Sequence, residues 1–308
     1  MNNSPRFPSG VWPVMLTPFT PDRAIDWRGL DALTDWYLAA GVSGLFAVCL
    51  SSEMYALEED ERLALARRVA QRAAGRVPVV ASGTFGGAVE AQAAFVRRMA
   101  DTGVDGVVVI VNQLAEEAEG EAVWRRNAER LLDLTPDVSL GLYECPAPYH
   151  RLLSPEMLGW AAGTGRFLFH KDTSCRIGPI RAKIAAAQGT PFRFYNANTP
   201  TLLGSLQAGG DGYSGTAANF YPELLVWLCR RHADQPERAA RLQHLLTVCD
   251  RAAAHRYPAT AKQYLADLGL PIGVHCRITQ APLEEPEFTM VRHLREVVRE
   301  QCVDLGIG

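Results

Sequence analysis

Lysine is almost missing from this chain: of its 31 basic residues only Lys171, Lys183 and Lys262 are lysines, so the place of each becomes informative. There is no basic block, and the formal net charge is −3, so the electrostatic footprint of a nucleic-acid binder is lacking. Seven cysteines stand singly, with no CxxC pair. That pattern argues against a zinc cage and predicts reduced thiols in a cytoplasm-like compartment. The seven histidines form no HxH or HExxH pair, no GxxxxGK[ST] occurs and no GxGxxG follows the first strand, so no metal and no nucleotide cofactor is expected. The opening MNNSPRFPSG lacks the apolar core of a secretory leader. Runs such as VDGVVVIV and LLVWLC fall well short of the roughly 18 residues that a membrane helix needs, so no membrane partner is expected.

What is present is an alternation. Short, near-continuously apolar runs lie at residues 11–19, 44–49, 77–84, 106–111, 139–145, 166–173, 192–198 and 212–216, as expected of parallel strands buried on both faces. Between them lie helix patterns at 26–40, 58–74, 89–102, 121–134, 179–188 and 200–207, with another opening at Ser154-Pro155-Glu156. The helix at 58–74 begins with four acids and ends in arginines, which complements its dipole. Eight such units predict an α/β fold, a (β/α)8 barrel; the rival is a doubly wound sheet, which the missing dinucleotide fingerprint disfavours. After a last barrel helix near Pro222, the helix patterns 238–255, 258–268 and 285–302 follow without strands. The expected organisation is a catalytic barrel over 1–222 and a C-terminal helical extension over 223–308.

In such a barrel the reacting groups sit at the C-terminal ends of strands. The sixth strand carries Lys171 within FLFHKDT, whereas Lys183 and Lys262 fall in helices. A lysine aimed into a barrel mouth loses hydration, which favours the free amine and makes it a nucleophile toward carbonyls. The alternative is a snorkelling or ion-paired lysine. Tyr143 ends the fifth strand, where a phenol beside an iminium could move a proton; a core tyrosine is the competing reading. Ser51 and Ser52 offer hydroxyls and N–H groups to an anion, or simply cap a helix. Asn198, Ser214 and Thr216 would line the same mouth, and His170, by alternation, should face the surrounding helices.

In this order the motifs resemble the dihydrodipicolinate synthase / N-acetylneuraminate lyase family of class I, Schiff-base-forming enzymes. The matching stretches are GVWPVMLTPF, GVSGLFAVCLSSEMYALEEDER, the third strand at 77–84, LYECP, FHKDTS and GGDGYSGTAANFYP. The resemblance implies a lyase, either aldolase or dehydratase, in which Lys171 forms an imine with pyruvate or a related 2-oxo acid. Tyr143 would shuttle a proton, Ser51 with Ser52 would hold the carboxylate, and Thr173 would touch substrate. It implies a small-molecule 2-oxo acid as partner and a homo-oligomer, dimer or tetramer.

The departures matter as much. The strand-2 motif reads CLSSE; the position of the synthases' aldehyde-gripping arginine is Pro148, with Arg151 out of register. The proline and tyrosines that end strand 4 in the synthases are replaced by Asn112-Gln113-Leu114, and the lyases' acids after strand 7 are Asn198 and Thr199. These changes predict that the chain is not a true dihydrodipicolinate synthase. A non-catalytic member that binds and senses a 2-oxo acid is the alternative; a metal-dependent barrel aldolase is disfavoured by the histidine pattern.

Overall fold

The computed structural model describes residues 7–279 and 281–307. Eight parallel strands follow one another in space: β1 (Gly10–Val11), β2 (Leu45–Val48), β3 (Val79–Ser82), β4 (Gly106–Ile110), β5 (Leu140–Tyr143), β6 (Phe167–Asp172), β7 (Arg193–Asn196) and β8 (Gly212–Tyr213). The sheet order runs from β1 through β8 down to β2, and a parallel bridge between Val14 and Phe46 joins its two ends. The Phe46 N–H donates to the Pro13 carbonyl and the Met15 N–H to the Phe46 carbonyl, each at 3.0 Å. This is a (β/α)8 barrel. Strands β2 to β5 are buried at every residue, which is why they read as unbroken apolar runs.

The strands are shorter than the apolar runs. The first run shrinks to Gly10–Val11 because Pro13 and Pro18 cannot donate to a ladder, leaving single bridges at Val14 and Phe19. The last shrinks to Gly212–Tyr213, after which residues 216–219 wind into a 3-10 turn.

Helices α1 (Trp27–Ala39), α2 (Glu59–Ala73), α3 (Val89–Ala100), α4 (Glu121–Leu134), α5 (Pro155–Gly163), α6 (Ile177–Ala186), α7 (Leu202–Gln207) and α8 (Pro222–Arg231) surround the sheet. Their starts follow local chemistry. Asp26 caps α1 by accepting from the Gly29 N–H at 2.9 Å, Glu61 returns to the Glu58 N–H at 2.9 Å, and Ser154 caps α5 ahead of Pro155. Three more helices follow, α9 (Pro236–Ala254), α10 (Ala259–Asp267) and α11 (Glu285–Leu305). They are fastened to the barrel by a fully buried ion pair. The Lys262 ammonium of α10 donates to Glu53 Oε1, just past β2, at 2.7 Å. Among the described residues no helix is long and apolar enough to cross a membrane.

The barrel interior is closed from below by aromatic rings. Phe169 of β6 lies 4.9 Å from Phe7, and Trp12 lies 5.4 Å from Tyr195 of β7, centroid to centroid. Two glycines make room for these rings. A Cβ on Gly141 of β5 would stand 2.1 Å from Phe169, and one on Gly44 would stand 2.3 Å from Trp12. Side chains alternate along a strand, so the residues two beyond Phe169 and Gly141, Lys171 and Tyr143, point to the same side, one level higher.

Candidate active site

Lys171 and Tyr143 are register partners on neighbouring strands, and both are nearly inaccessible, at 6% and 3% exposure. The Lys171 nitrogen sits 3.7 Å from the centroid of the Tyr143 ring. That ring is in turn fixed edge-on against Phe46 at 5.7 Å. Lys183 and Lys262 are locked into buried ion pairs, while Lys171 forms none among the described residues. Burial pulls its ammonium down to about 8, only partly opposed by the Cys49 and Cys145 thiols beside it. At pH 7 about one such amine in ten is then neutral, a hundredfold or more above an ordinary lysine.

For Tyr143 the cavity by itself works in the opposite sense to an iminium. Burial, then the neighbouring Cys145 and Cys49, hold its phenol well above the ordinary tyrosine value, so it stays protonated and able to donate. The Cys145 thiol faces the hydroxyls of both Tyr143 and Tyr55 and is itself raised by burial. Cys49 is raised to about 11, again by burial, and is not a thiolate.

Above this pair opens a cavity of about 490 Å³, which Lys171, Tyr143, Ser51 and Thr173 help to line. Ser51 faces the hydroxyl of Tyr257, which accepts from Asn219 Nδ2 at 2.8 Å. Thr173 Oγ1 donates to the Glu144 carbonyl at 2.6 Å and meets His150 Nε2 at 2.7 Å. Three expected residues do not line the cavity. Ser52 turns its hydroxyl back to the Cys49 carbonyl at 2.7 Å, capping its own turn. Asn198 Oδ1 accepts from Thr201 at 2.9 Å. Ser214 is buried one residue before Gly215, which with Thr216 takes the lining position instead. Lining residues that the strand-end reading missed are Tyr55, from a 3-10 turn after β2, and Tyr257, Pro258 and Ile278, from the C-terminal extension. Their signal in the sequence is weak, because Tyr55 lies seven residues past the end of β2 and the other three follow no strand.

Behind the barrel wall lies a second, wholly buried polar group. As alternation predicts, His170 and Asp172 point away from Lys171 and meet Glu144. These three bring potential metal-ligand atoms within 4.8 Å of one another, yet the Lys183 ammonium already holds Glu144 Oε1 at 2.5 Å and Asp172 Oδ2 at 2.7 Å. A lysine thus supplies the cation that the carboxylates require. Burial opposes the Asp172 carboxylate, but His170 and Lys183 hold it well below the usual range. Burial alone would lower His170; the Glu144 and Asp172 carboxylates together outweigh it and raise the imidazole. Glu144 also accepts from the backbone N–H groups of Leu153 (2.9 Å) and Thr173 (3.1 Å), which ties the loops after β5 and β6 together.

The departures have structural work of their own. Asn112 Nδ2 donates to the carbonyls of Cys145 (2.8 Å), Ala147 (2.9 Å) and Tyr149, so it staples the loop after β5. The Arg151 guanidinium donates to the carbonyls of Glu116 and Glu119 at 2.6 and 2.7 Å and is not in the cavity lining.

A barrel of this kind, with one desolvated and unpaired lysine inside its mouth, is the framework of a class I lyase, an enzyme that works through a Schiff base. The chain belongs to the dihydrodipicolinate synthetase family, whose family model matches residues 7–297. It is 27% identical to the 4-hydroxy-tetrahydrodipicolinate synthase of Gluconacetobacter diazotrophicus over 281 residues, covering 90% of this chain and 93% of the relative. It is also 27% identical over 297 residues to the putative 2-dehydro-3-deoxy-D-gluconate aldolase YagE of Escherichia coli, covering 94% and 97%. The crystal structure of YagE, determined in complex with pyruvate, superposes with a TM-score of 0.83 at 26% identity over 95% of this chain and 98% of that one. The synthase of Thermotoga maritima, 21% identical with a TM-score of 0.86 over 95% and 99% of the two chains, shares the fold.

Proposed function

We propose that the protein is an aldolase or dehydratase acting on pyruvate or a related 2-oxo acid through an imine on Lys171. The observation that carries this reading is the Lys171 amine: buried, lowered to about 8, and free of any ion pair among the described residues. Its nitrogen attacks the ketone carbon, water leaves, and the protonated imine draws electrons from the adjacent C–C or C–H bond. Tyr143 donates and recovers the proton, and Ser51 holds the carboxylate with its hydroxyl and backbone N–H. Thr173, fixed by Glu144 and His150, meets the substrate's far side. Ser52, Asn198 and Ser214 act behind this layer, supporting the loops that carry it.

Synthesis of dihydrodipicolinate is not part of this reading. Arg151 is engaged with carbonyls outside the cavity, and the strand-4 end presents Asn112 and Gln113 rather than a tyrosine. Residues 1–222 form the catalytic barrel in this reading and residues 223–308 its last helix and extension; the enzyme works as a cytoplasmic homo-oligomer, dimer or tetramer.

The test is borohydride reduction in the presence of pyruvate, followed by peptide mapping. A reduced adduct on Lys171, absent in Lys171→Ala, is the expected result; no adduct removes the reading. The same replacement of the strand-4 tyrosine favours one second reading, a 2-oxo acid sensor. That reading requires the adduct to form while no 4-hydroxy-2-oxo acid is turned over.

A further inference from the structure

We propose that the second substrate of this site is an uncharged, largely hydrocarbon aldehyde, with an aromatic aldehyde as the best fit, rather than a phosphorylated, carboxylated or polyhydroxylated one. This rests on the Lys171 imine and names the partner that the resulting enamine would attack or release.

The charges around the cavity set the first limit. Among the described residues that line it, the acidic and basic side chains are Glu53, Lys171 and His150. Lys171 is taken up by the imine. Both oxygens of Glu53 are occupied: Oε1 accepts from Lys262 at 2.7 Å, and Oε2 accepts from the N–H groups of Arg277 and Ile278 at 2.6 and 2.9 Å. His150 points its Nε2 at Thr173 Oγ1, whose own proton goes to the Glu144 carbonyl, so this nitrogen is the donor of that pair. The cationic clamp that a phosphate or a second carboxylate would need is therefore missing from the described lining, and burying such a group unpaired is strongly unfavourable.

The hydroxyls set the second limit. Thr173 is engaged as just described, and Tyr55 donates to the Ala147 carbonyl at 3.0 Å. Ser51 is assigned to the 2-oxo acid carboxylate. A sugar-like aldehyde would bring several hydroxyls and find chiefly Thr216 and the remaining nitrogen of His150 to receive them. Each hydroxyl buried without a partner forfeits the hydrogen bonds it made in water. What the cavity does present is apolar surface: Leu50, Tyr55, Pro146, Tyr257, Pro258 and Ile278. Two aromatic rings, Tyr55 and Tyr257, and two prolines are among these lining residues, a composition suited to packing against a planar, apolar aldehyde.

The chemistry balances without a further reactant. The C3 carbon of the pyruvate enamine forms a bond to the aldehyde carbon, the aldehyde oxygen takes a proton from Tyr143, and water hydrolyses the imine. A 4-hydroxy-2-oxo acid leaves and the Lys171 amine returns.

The experiment compares condensation rates with pyruvate for benzaldehyde, D-glyceraldehyde, D-glyceraldehyde 3-phosphate and succinic semialdehyde, alongside borohydride trapping of pyruvate alone. The expected result is a kcat/KM for benzaldehyde at least tenfold above each of the other three. Trapping at Lys171 combined with equal or better use of a charged or hydroxylated aldehyde, or with no condensation of any of the four, overturns this inference and leaves the imine standing. Absence of trapping overturns the imine reading and this inference with it.

Discussion

A lysine buried among rings and aliphatic chains is a poor cation, and Lys171 shows the consequence most clearly. Phe169 and the other floor aromatics pack one level below it, and its nitrogen sits 3.7 Å from the centroid of the Tyr143 ring. Tyr143 is itself held protonated by burial, so in the proposed reaction it would enter as an acid. We expect Tyr143→Phe to lower kcat at least tenfold with KM little changed, in line with the usual loss of about 10²–10⁴ when a proton-transferring group is removed. Steady-state kinetics with pyruvate and an accepted aldehyde checks this, and an unchanged kcat would show that the proton travels by another route. Lys171 and Tyr143 were legible as candidates because each ends an apolar run, where a polar residue is out of keeping. Ser214 illustrates the limit of that logic. With a period of two, a one-residue difference in where a strand stops exchanges an inward position for a covered one, and Gly215 takes the lining place.

At the scale of elements, the barrel was readable because parallel strands covered on both faces leave unbroken apolar runs, and because acids, caps and terminal glycines mark the helices between them. The contribution of the connections between the C-terminal helices to the cavity was not readable. Tyr257, Pro258 and Ile278 reach it through tertiary packing that leaves no periodic trace. That packing depends on Glu53, whose backbone adopts a left-handed φ of 59° and whose carboxylate meets Lys262 and the chain at 277–278. Glu53→Ala leaves the Lys262 ammonium buried and unpaired, and should cost about 3–5 kcal/mol. Adding Lys262→Met to that variant should recover part of the loss, because the stranded charge is removed with it. Equilibrium denaturation of the single and double variants measures both effects, and a loss below about 1 kcal/mol for the single variant would show the pair to be dispensable.

For the whole molecule, the site and the stability of the fold pull in opposite directions. An ammonium that is lowered from 10.5 to about 8 on folding opposes folding by on the order of 3 kcal/mol wherever it is still charged in both states. The sign follows from proton binding: between the two values the unfolded chain holds more protons than the folded one, so stability rises with pH. Lys171→Met, similar in length and without the charge, should therefore be more stable than the parent by roughly 1–3 kcal/mol at pH 7. The gain should stay level below about pH 8 and fade toward pH 10. Chemical denaturation at several pH values checks this, and a variant that is less stable at pH 7 would mean that Lys171 makes stabilising contacts as a cation.

The uncharged amine can be observed directly. The rate at which pyruvate and borohydride label Lys171, followed by peptide mass across pH 6 to 11, should rise about tenfold per pH unit and reach half its maximum near pH 8. A midpoint near 10, where an ordinary lysine titrates, or labelling that falls on Lys183 or Lys262 instead, would contradict the account.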